Sequence, residues 1–257
     1  MEFVDFGNTR LKVSRLAFGT GTHGWAGRSE QTDLGFDRLV ALLREAYDQG
    51  VTFWDAADGY GSHRHFARAL RDVPRDDVVI ATKTTSRSDR SVAQDVERFL
   101  RELDTDVIDI VLLHCLSSSN WPRSHAGAMD ALSRAKQEGK VRAVGVSCHS
   151  LSALRAAAET EWTDVVLARI NAKGTNMSAS PSEMVSVIEQ AYEAGKAVYG
   201  MKVLGCGRLA RDARSAIEYV LRLGIVHSLV IGISSRDQLS EDVRLVEQLA
   251  SQYPLRS

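Results

Sequence analysis

Eight short apolar runs recur along the chain at roughly 30-residue intervals, at 16–20, 52–56, 78–82, 108–114, 141–147, 165–171, 197–204 and 228–233. Most are rich in Val and Ile and nearly continuous in apolarity, the pattern of strands buried on both faces of a parallel sheet. Between them lie stretches of helical period. In 91–104, Val92, Val96, Phe99, Leu100 and Leu103 fall on one stripe. Ser91 with Gln94 predicts a capping box there. Ser180-Pro181-Ser182-Glu183 predicts a stronger one, with Pro at the first helical position. Gly50, Gly139, Gly195 and Gly224 each close a helical stretch shortly before an apolar run, where a left-handed residue stops a helix.

Eight strand–helix units predict an α/β fold, a (β/α)8 TIM barrel, as one domain over residues 1–257. A doubly wound sheet fits less well, because Gly205-Cys206-Gly207 lacks the third glycine of the dinucleotide fingerprint. Residues 3–6 and 11–13, joined through Gly7-Asn8-Thr9, predict a short N-terminal β-hairpin plugging the barrel bottom. The tail after the last helical stretch is only 252–257.

Composition narrows the function classes. Hydrophobic residues make up 44% and charged residues 25%, which excludes a disordered or fibrous chain. The net charge of -1 gives no electrostatic footprint for nucleic acid. No apolar run is long enough to span a bilayer, and 1–5 has no signal-peptide character. Cys115, Cys148 and Cys206 form no C-x-x-C pair, which suits small buried hydrophobes in a reducing cytoplasm.

In a barrel of this kind active sites sit at the C-terminal strand ends. There the chain offers Asp55, Asp58 and Tyr60 after the second run, Lys83 after the third and His114 at the end of the fourth. A carboxylate offsets the cost of burying the lysine. A phenol beside an ammonium is expected to have a lowered pKa and to serve as a general acid. Asp58 precedes a glycine and also reads as a turn residue. Trp54 has the opposite parity to Asp55 and should point outward under a helix. His23, Trp25, Trp121 and His149 fall on the loops of the same end and are candidates for the substrate side, Trp25 as an aromatic wall.

The stretch Phe53-Trp54-Asp55-Ala56-Ala57-Asp58-Gly59-Tyr60-Gly61, with Ala81-Thr82-Lys83 and Leu112-Leu113-His114, resembles the aldo-keto reductase superfamily. The opening 11–21, which holds Gly19 and Thr20, and the ending Ile231-Gly232-Ile233-Ser234-Ser235 with Gln238 fit as well. The resemblance implies a catalytic set of Tyr60, Asp55, Lys83 and His114 that reduces aldehyde or ketone carbonyls with NADP(H). It assigns cofactor contacts to Gly19, Thr20, Asp55, Gly232, Ser234 and Gln238. Ser147 and Cys148 stand where the carboxamide of the nicotinamide is held. Leu167 replaces a usual glutamine, and Asn171 or Arg169 is the expected substitute. Met201 stands where a tyrosine commonly stacks on the ring, in a segment 200–205 like that of a bacterial branch. Lys202 is expected to contact the cofactor, and the backbone amides of Val203, Leu204 and Gly205 to meet the pyrophosphate. Ser235 and Arg236, at a helix N-terminus, are expected to read the extra ribose phosphate of NADPH. Asp242 stands where an asparagine is common.

The partner is thus a small carbonyl compound, with no metal, nucleic acid or membrane. Three rival readings remain on the residues alone. One is a Schiff-base aldolase using Lys83 or Lys202. Another is a metal-dependent hydrolase using Asp55, Asp58, His114 and His149. The third is a regulatory subunit that keeps a cofactor site without turnover.

Overall fold

In the computed structural model, which describes residues 1–256, each of the eight apolar runs contains a strand. They are β3 (Leu16–Gly19), β4 (Phe53–Asp55), β5 (Val79–Thr84), β6 (Ile108–Leu116), β7 (Val141–Cys148), β8 (Val165–Arg169), β9 (Ala197–Met201) and β10 (Ser228–Gly232). All neighbours pair in parallel, and β10 closes on β3. The period of two divides each strand between two layers. Ala17, Phe53, Ala81, Ile110, Leu112, Leu167 and Tyr199 fill the barrel interior. Phe18, Trp54, Ile80, Val111, Leu113 and Cys148 face the surrounding helices. Trp54 therefore points outward as its parity predicts.

The helices are α1 (Phe36–Asp48), α2 (His63–Ala69), α3 (Asp89–Leu103), α4 (Trp121–Ser124), α5 (Ala126–Gln137), α6 (Leu151–Glu159), α7 (Pro181–Glu193), α8 (Ala213–Arg222) and α9 (Arg236–Ala250). The box at Ser180 and Glu183 forms as expected, with Glu183 N donating to Ser180 Oγ at 3.3 Å. The other box lies one turn earlier than predicted. Ser88 is the last extended residue, so it caps α3, and Ser91 reciprocates three residues on. The four helix-ending glycines all have left-handed φ, between 69° and 80°.

The N-terminal hairpin pairs β1 (Phe3–Asp5) with β2 (Lys12–Ser14) in antiparallel register. Its turn drives Phe6 into the barrel floor, fully buried, edge-on to Phe53 at 5.5 Å and to Tyr199 at 6.1 Å. Phe6 is thus the plug on which the lowest inner layer rests. We expect Phe6→Ala to cost about 3–5 kcal/mol, the usual penalty for emptying an aromatic core site, read as a fall in the urea midpoint. A loss under about 1 kcal/mol is the scale of a surface change and would show that the hairpin does not seal the barrel.

Candidate active site

At the C-terminal mouth, the ends of β4, β5 and β6 bring Asp55, Lys83 and His114 together with Tyr60. Asp55 and Lys83 are inward residues of adjacent strands. Lys83 Nζ donates to Asp55 Oδ1 at 2.6 Å and to Ala56 O at 2.6 Å. Both side chains are almost wholly buried. The second oxygen of Asp55 accepts from the Tyr199 hydroxyl at 3.0 Å. Tyr199 was not singled out in the sequence. Its inward parity, two residues before Met201, is the signal that would have found it.

Tyr60 ends a 3-10 turn (Asp58–Tyr60) and lies across the mouth. Its hydroxyl meets His114 Nε2 at 3.4 Å. Lys83 Nζ sits 5.1 Å from the centre of the Tyr60 ring. The expected fall in the phenol pKa does not occur. Burial, helped by the Asp55 charge, pushes the Tyr60 phenol well above its ordinary value. Burial also pulls Lys83 below its usual range, against the opposing pull of Asp55. His114 is pushed down to about 2, first by burial and then by Lys83, so it is neutral at physiological pH.

The loop after β3 holds the Tyr60 ring. Gly21 and Gly24 lie so close to it that a Cβ on either would enter the ring. Asp58 is a turn anchor. It pairs with Arg98 of α3 at 2.6 Å, and Arg98 also binds Asp95 and Glu102. Among the described residues the possible metal ligands that cluster are His114, Cys115 and His149, without Asp55 or Asp58, so the four ligands of the hydrolase reading do not share a point.

β6 carries a second device. Its register slips between Leu113 and Leu116, and Cys115 takes a left-handed φ of 61°. A non-glycine residue in that region is strained, and such strain collects at functional sites. Donor atoms of His114, Cys115 and His149 consequently lie within 4.8 Å of one another. Arg169 donates to His149 Nδ1 at 2.7 Å, and Lys83, Lys202 and Arg169 all depress the His149 pKa beyond the effect of burial, to about 4. A dication would enter a field set by those cations.

Beside Tyr60 runs a cavity of about 250 Å³, lined by Gly19, Leu167, Met201, Lys202, Val203, Leu204, Gly232, Ser234 and Gln238 among others. The residues present fit a dinucleotide. Ser147 Oγ is buried and has no hydrogen-bond partner. In the loop after β9, the amides of Val203, Leu204, Cys206 and Gly207 have no acceptor among the described residues. Lys202, Gly205, Cys206 and Gly207 have left-handed φ, a tight turn in which successive amides can face an anion.

Several assigned residues have other duties. Cys148 faces the outer layer and is fully buried there, so its thiol does not reach the mouth. Asn171 donates to Thr175 O and Lys202 O and accepts from the amides of Lys173 and Thr175, which leaves it no free valence for a carboxamide. Thr20 is buried, donates to Asp55 O and meets Ser62 Oγ at 2.7 Å, bracing the strand end. The Gly205 amide closes the turn on Lys202 O. Ser235 caps α9 by accepting from Gln238 N, while Gln238 Oε1 accepts from Ser234 N. Arg236 is 73% exposed and pairs with Glu45 of α1 at 2.7 Å. Asp242 is buried, which lifts its carboxyl to about 7.

Of the loop candidates, Trp25 is 75% exposed, Trp121 is buried under the helices, and His23 is exposed and bound to Glu30. Trp25 therefore forms no wall in this state. Cys115 is exposed and Cys206 partly so, which leaves Cys148 as the one small buried hydrophobe of the three.

A barrel with this mouth is compatible with many chemistries, and comparison with known proteins decides the class. Residues 15–218 match the model of the aldo/keto reductase family. L-galactose dehydrogenase of Arabidopsis thaliana is 27% identical over 98% of this chain and 90% of its own length. Aldo-keto reductase YhdN of Bacillus subtilis is 30% identical over 59% of this chain, which spans 48% of that protein. An aldo-keto reductase from Pseudomonas aeruginosa of solved structure superposes with a TM-score of 0.80 at 26% identity, covering 96% of this chain and 94% of the other. The chain belongs to the aldo/keto reductase family. It is an oxidoreductase of carbonyl chemistry, in a family that uses nicotinamide cofactors.

The buried pair generates a direct expectation. Lys83→Met leaves Asp55 without its cation and should cost about 3–5 kcal/mol of stability. Adding Asp55→Asn should return much of that loss. Additive effects in this double-mutant cycle would show that the two charges do not depend on each other.

Proposed function

We propose that this chain is an NADPH-dependent reductase of aldehyde and ketone carbonyls, with Tyr60 as the proton donor. The observation that carries this reading is the Tyr60 hydroxyl beside His114 Nε2, over a buried Lys83–Asp55 pair, at the edge of a groove with unclaimed amides. Met201 offers its thioether to the nicotinamide face and Ser147 Oγ its hydroxyl to the carboxamide. The open amides of Val203 and Leu204 suit the pyrophosphate. When bound, the nicotinamide supplies a hydride to the carbonyl carbon. The chain supplies the rest. Tyr60 and neutral His114 hydrogen-bond the carbonyl oxygen, and the phenol proton passes to it. Lys83 then faces the resulting phenolate. Because burial holds the phenol protonated, the acid form is the resting form at neutral pH.

The ribose phosphate reading survives the Arg236–Glu45 pair. Glu45 is half-buried while the Arg236 guanidinium is 73% exposed, so a phosphate competes with Glu45 for a fork that stays open to solvent. Arg38 lines the same hollow as Arg236, Ser234 and Ser235, which adds a second cation. A relative at 28% identity is named an NADH-specific methylglyoxal reductase, so NADH is the alternative the cofactor test must exclude. No helix among the described residues is long and apolar enough to cross a membrane, and the free thiols suit a reducing compartment. We assign the protein to the cytoplasm. Lys83 is bound to a carboxylate and is not a free amine, which weighs against the aldolase reading.

Two measurements test the proposal. Tyr60→Phe should cut carbonyl-dependent NADPH oxidation by about 10²–10⁴-fold, the usual worth of a general acid, while fluorescence titration of NADPH stays near wild type. Retention of most activity removes Tyr60 from the proton step. For the phosphate, Arg236→Ala should weaken NADPH by about tenfold, and Glu45→Gln should tighten it, with NADH unmoved in both. Equal changes for the two cofactors would place the phosphate elsewhere.

A further inference from the structure

The mouth holds more positive charge than its known parts require. Lys83 is neutralised by Asp55, and Glu30 is taken up by His23. Arg169 and Lys202 pair with no carboxylate among the described residues. Lys202 lines the groove assigned above to the cofactor, where a pyrophosphate accounts for it. Arg169 is left over.

Arg169 ends β8 on its inward parity and reaches across the mouth toward β7. Nη2 donates to His149 Nδ1 at 2.7 Å and Nη1 to Asn176 O at 3.0 Å. Its Nε is buried and has no partner. A guanidinium has five N–H donors in a fixed fork, and these contacts commit two of them. Both partners are neutral, so neither offsets the charge. Since a guanidinium only donates, His149 accepts at Nδ1 and carries its own proton on Nε2. Arg169 and His149 are therefore two donors side by side.

They stand close to the reacting group. The rings of Tyr60, His114 and His149 step across the mouth at centroid spacings of 5.8 Å and 6.0 Å, and Arg169 closes the row. A carbonyl bound at Tyr60 and His114 has Arg169 within the reach of a few atoms of substrate. Arg–carboxylate and Arg–phosphate contacts are charge-assisted and often bidentate, and they are strongest where water is partly excluded.

We infer that the physiological carbonyl substrate carries an anionic group, a carboxylate or a phosphate ester, a few atoms from its carbonyl, and that Arg169 with His149 binds it. This inference rests on the reductase reading for the position of the carbonyl. The anion site itself does not depend on turnover. It answers a feature that otherwise has no account, an uncompensated guanidinium at the mouth. The depressed pKa of His149, to which Arg169 contributes beyond burial, reports the same positive field.

Matched substrates test it. Succinic semialdehyde is compared with butanal, and glyceraldehyde phosphate with glyceraldehyde, in wild type, Arg169→Met and Arg169→Lys. The anionic member should be preferred in kcat/KM by about 10- to 100-fold. Whichever anionic member shows the larger preference identifies the class as carboxylate or phosphate. Arg169→Met should collapse the ratio through KM for the anionic member. Arg169→Lys should keep part of it, having charge without the fork. A preference that survives Arg169→Met, or equal use of charged and neutral partners, overturns the proposal. A turnover-free arm separates it from the reductase reading. γ-Hydroxybutyrate, and not butanol, should raise the melting temperature of wild type but not of Arg169→Met. If no carbonyl is reduced at all, the reductase reading falls. The melting shifts then decide the anion site alone, and equal shifts in both proteins reject it.

Discussion

The buried ion pair of Lys83 and Asp55 is the constraint on which the site depends. Two charges inside the barrel are each costly to desolvate, and their attraction compensates only if every remaining valence is met. Here Lys83 also donates to Ala56 O, and Asp55 also accepts from Tyr199. Those contacts tie the ends of β4, β5 and β9 into one arrangement. Tyr60 follows Asp55 by a short turn, so its placement is inherited from the pair. The same packing sets where the ammonium meets the phenol, at 5.1 Å from the ring centre, a distance typical of a cation over an aromatic face.

Loop chemistry completes what the strands begin. Thr20 and Ser62 brace the end of β4 through Asp55 O, and Arg98 pins the Asp58 turn from α3. Gly21 and Gly24 give the Tyr60 ring a bed that no side chain could share. The phenol is therefore held on several sides before any substrate arrives. Such preorganisation matters because a proton donor misplaced by an ångström forfeits much of its rate.

The barrel was legible in the sequence because buried parallel strands leave long apolar runs, and every run from 16 to 233 contains a strand. The four-residue cluster was legible because strand ends in such a barrel share one face. What escaped was set by contacts between distant segments. Arg236 meets Glu45 only because α1 and α9 pack together, and no local spacing reports that. Asn171 is an ordinary polar residue in sequence, and only the fold of the following loop shows that its four valences are filled. The Tyr60 pKa was misjudged because proximity to a lysine was visible and burial was not. Cys148 is different. The parity argument that turned Trp54 outward applies equally to the residue after Ser147, so its outward position was available from the sequence.

The cations at the mouth bear on the choice of acid. Burial first, and then the charges of Lys83 and Lys202, hold His114 neutral, and burial with Arg169 and the same lysines does so for His149. Among positive charges an imidazolium is disfavoured, since protonation adds charge where charge already repels. A phenol has the opposite logic, because giving up its proton creates an anion that the same cations attract. Burial keeps the resting phenol protonated, and the neighbouring ammonium faces the phenolate once the proton has gone. Burial and the neighbouring cations thus silence two histidines as acids and leave Tyr60 as the group with a proton to give. The arrangement assigns the imidazoles to hydrogen bonding and the phenol to proton donation, by charge rather than by distance alone.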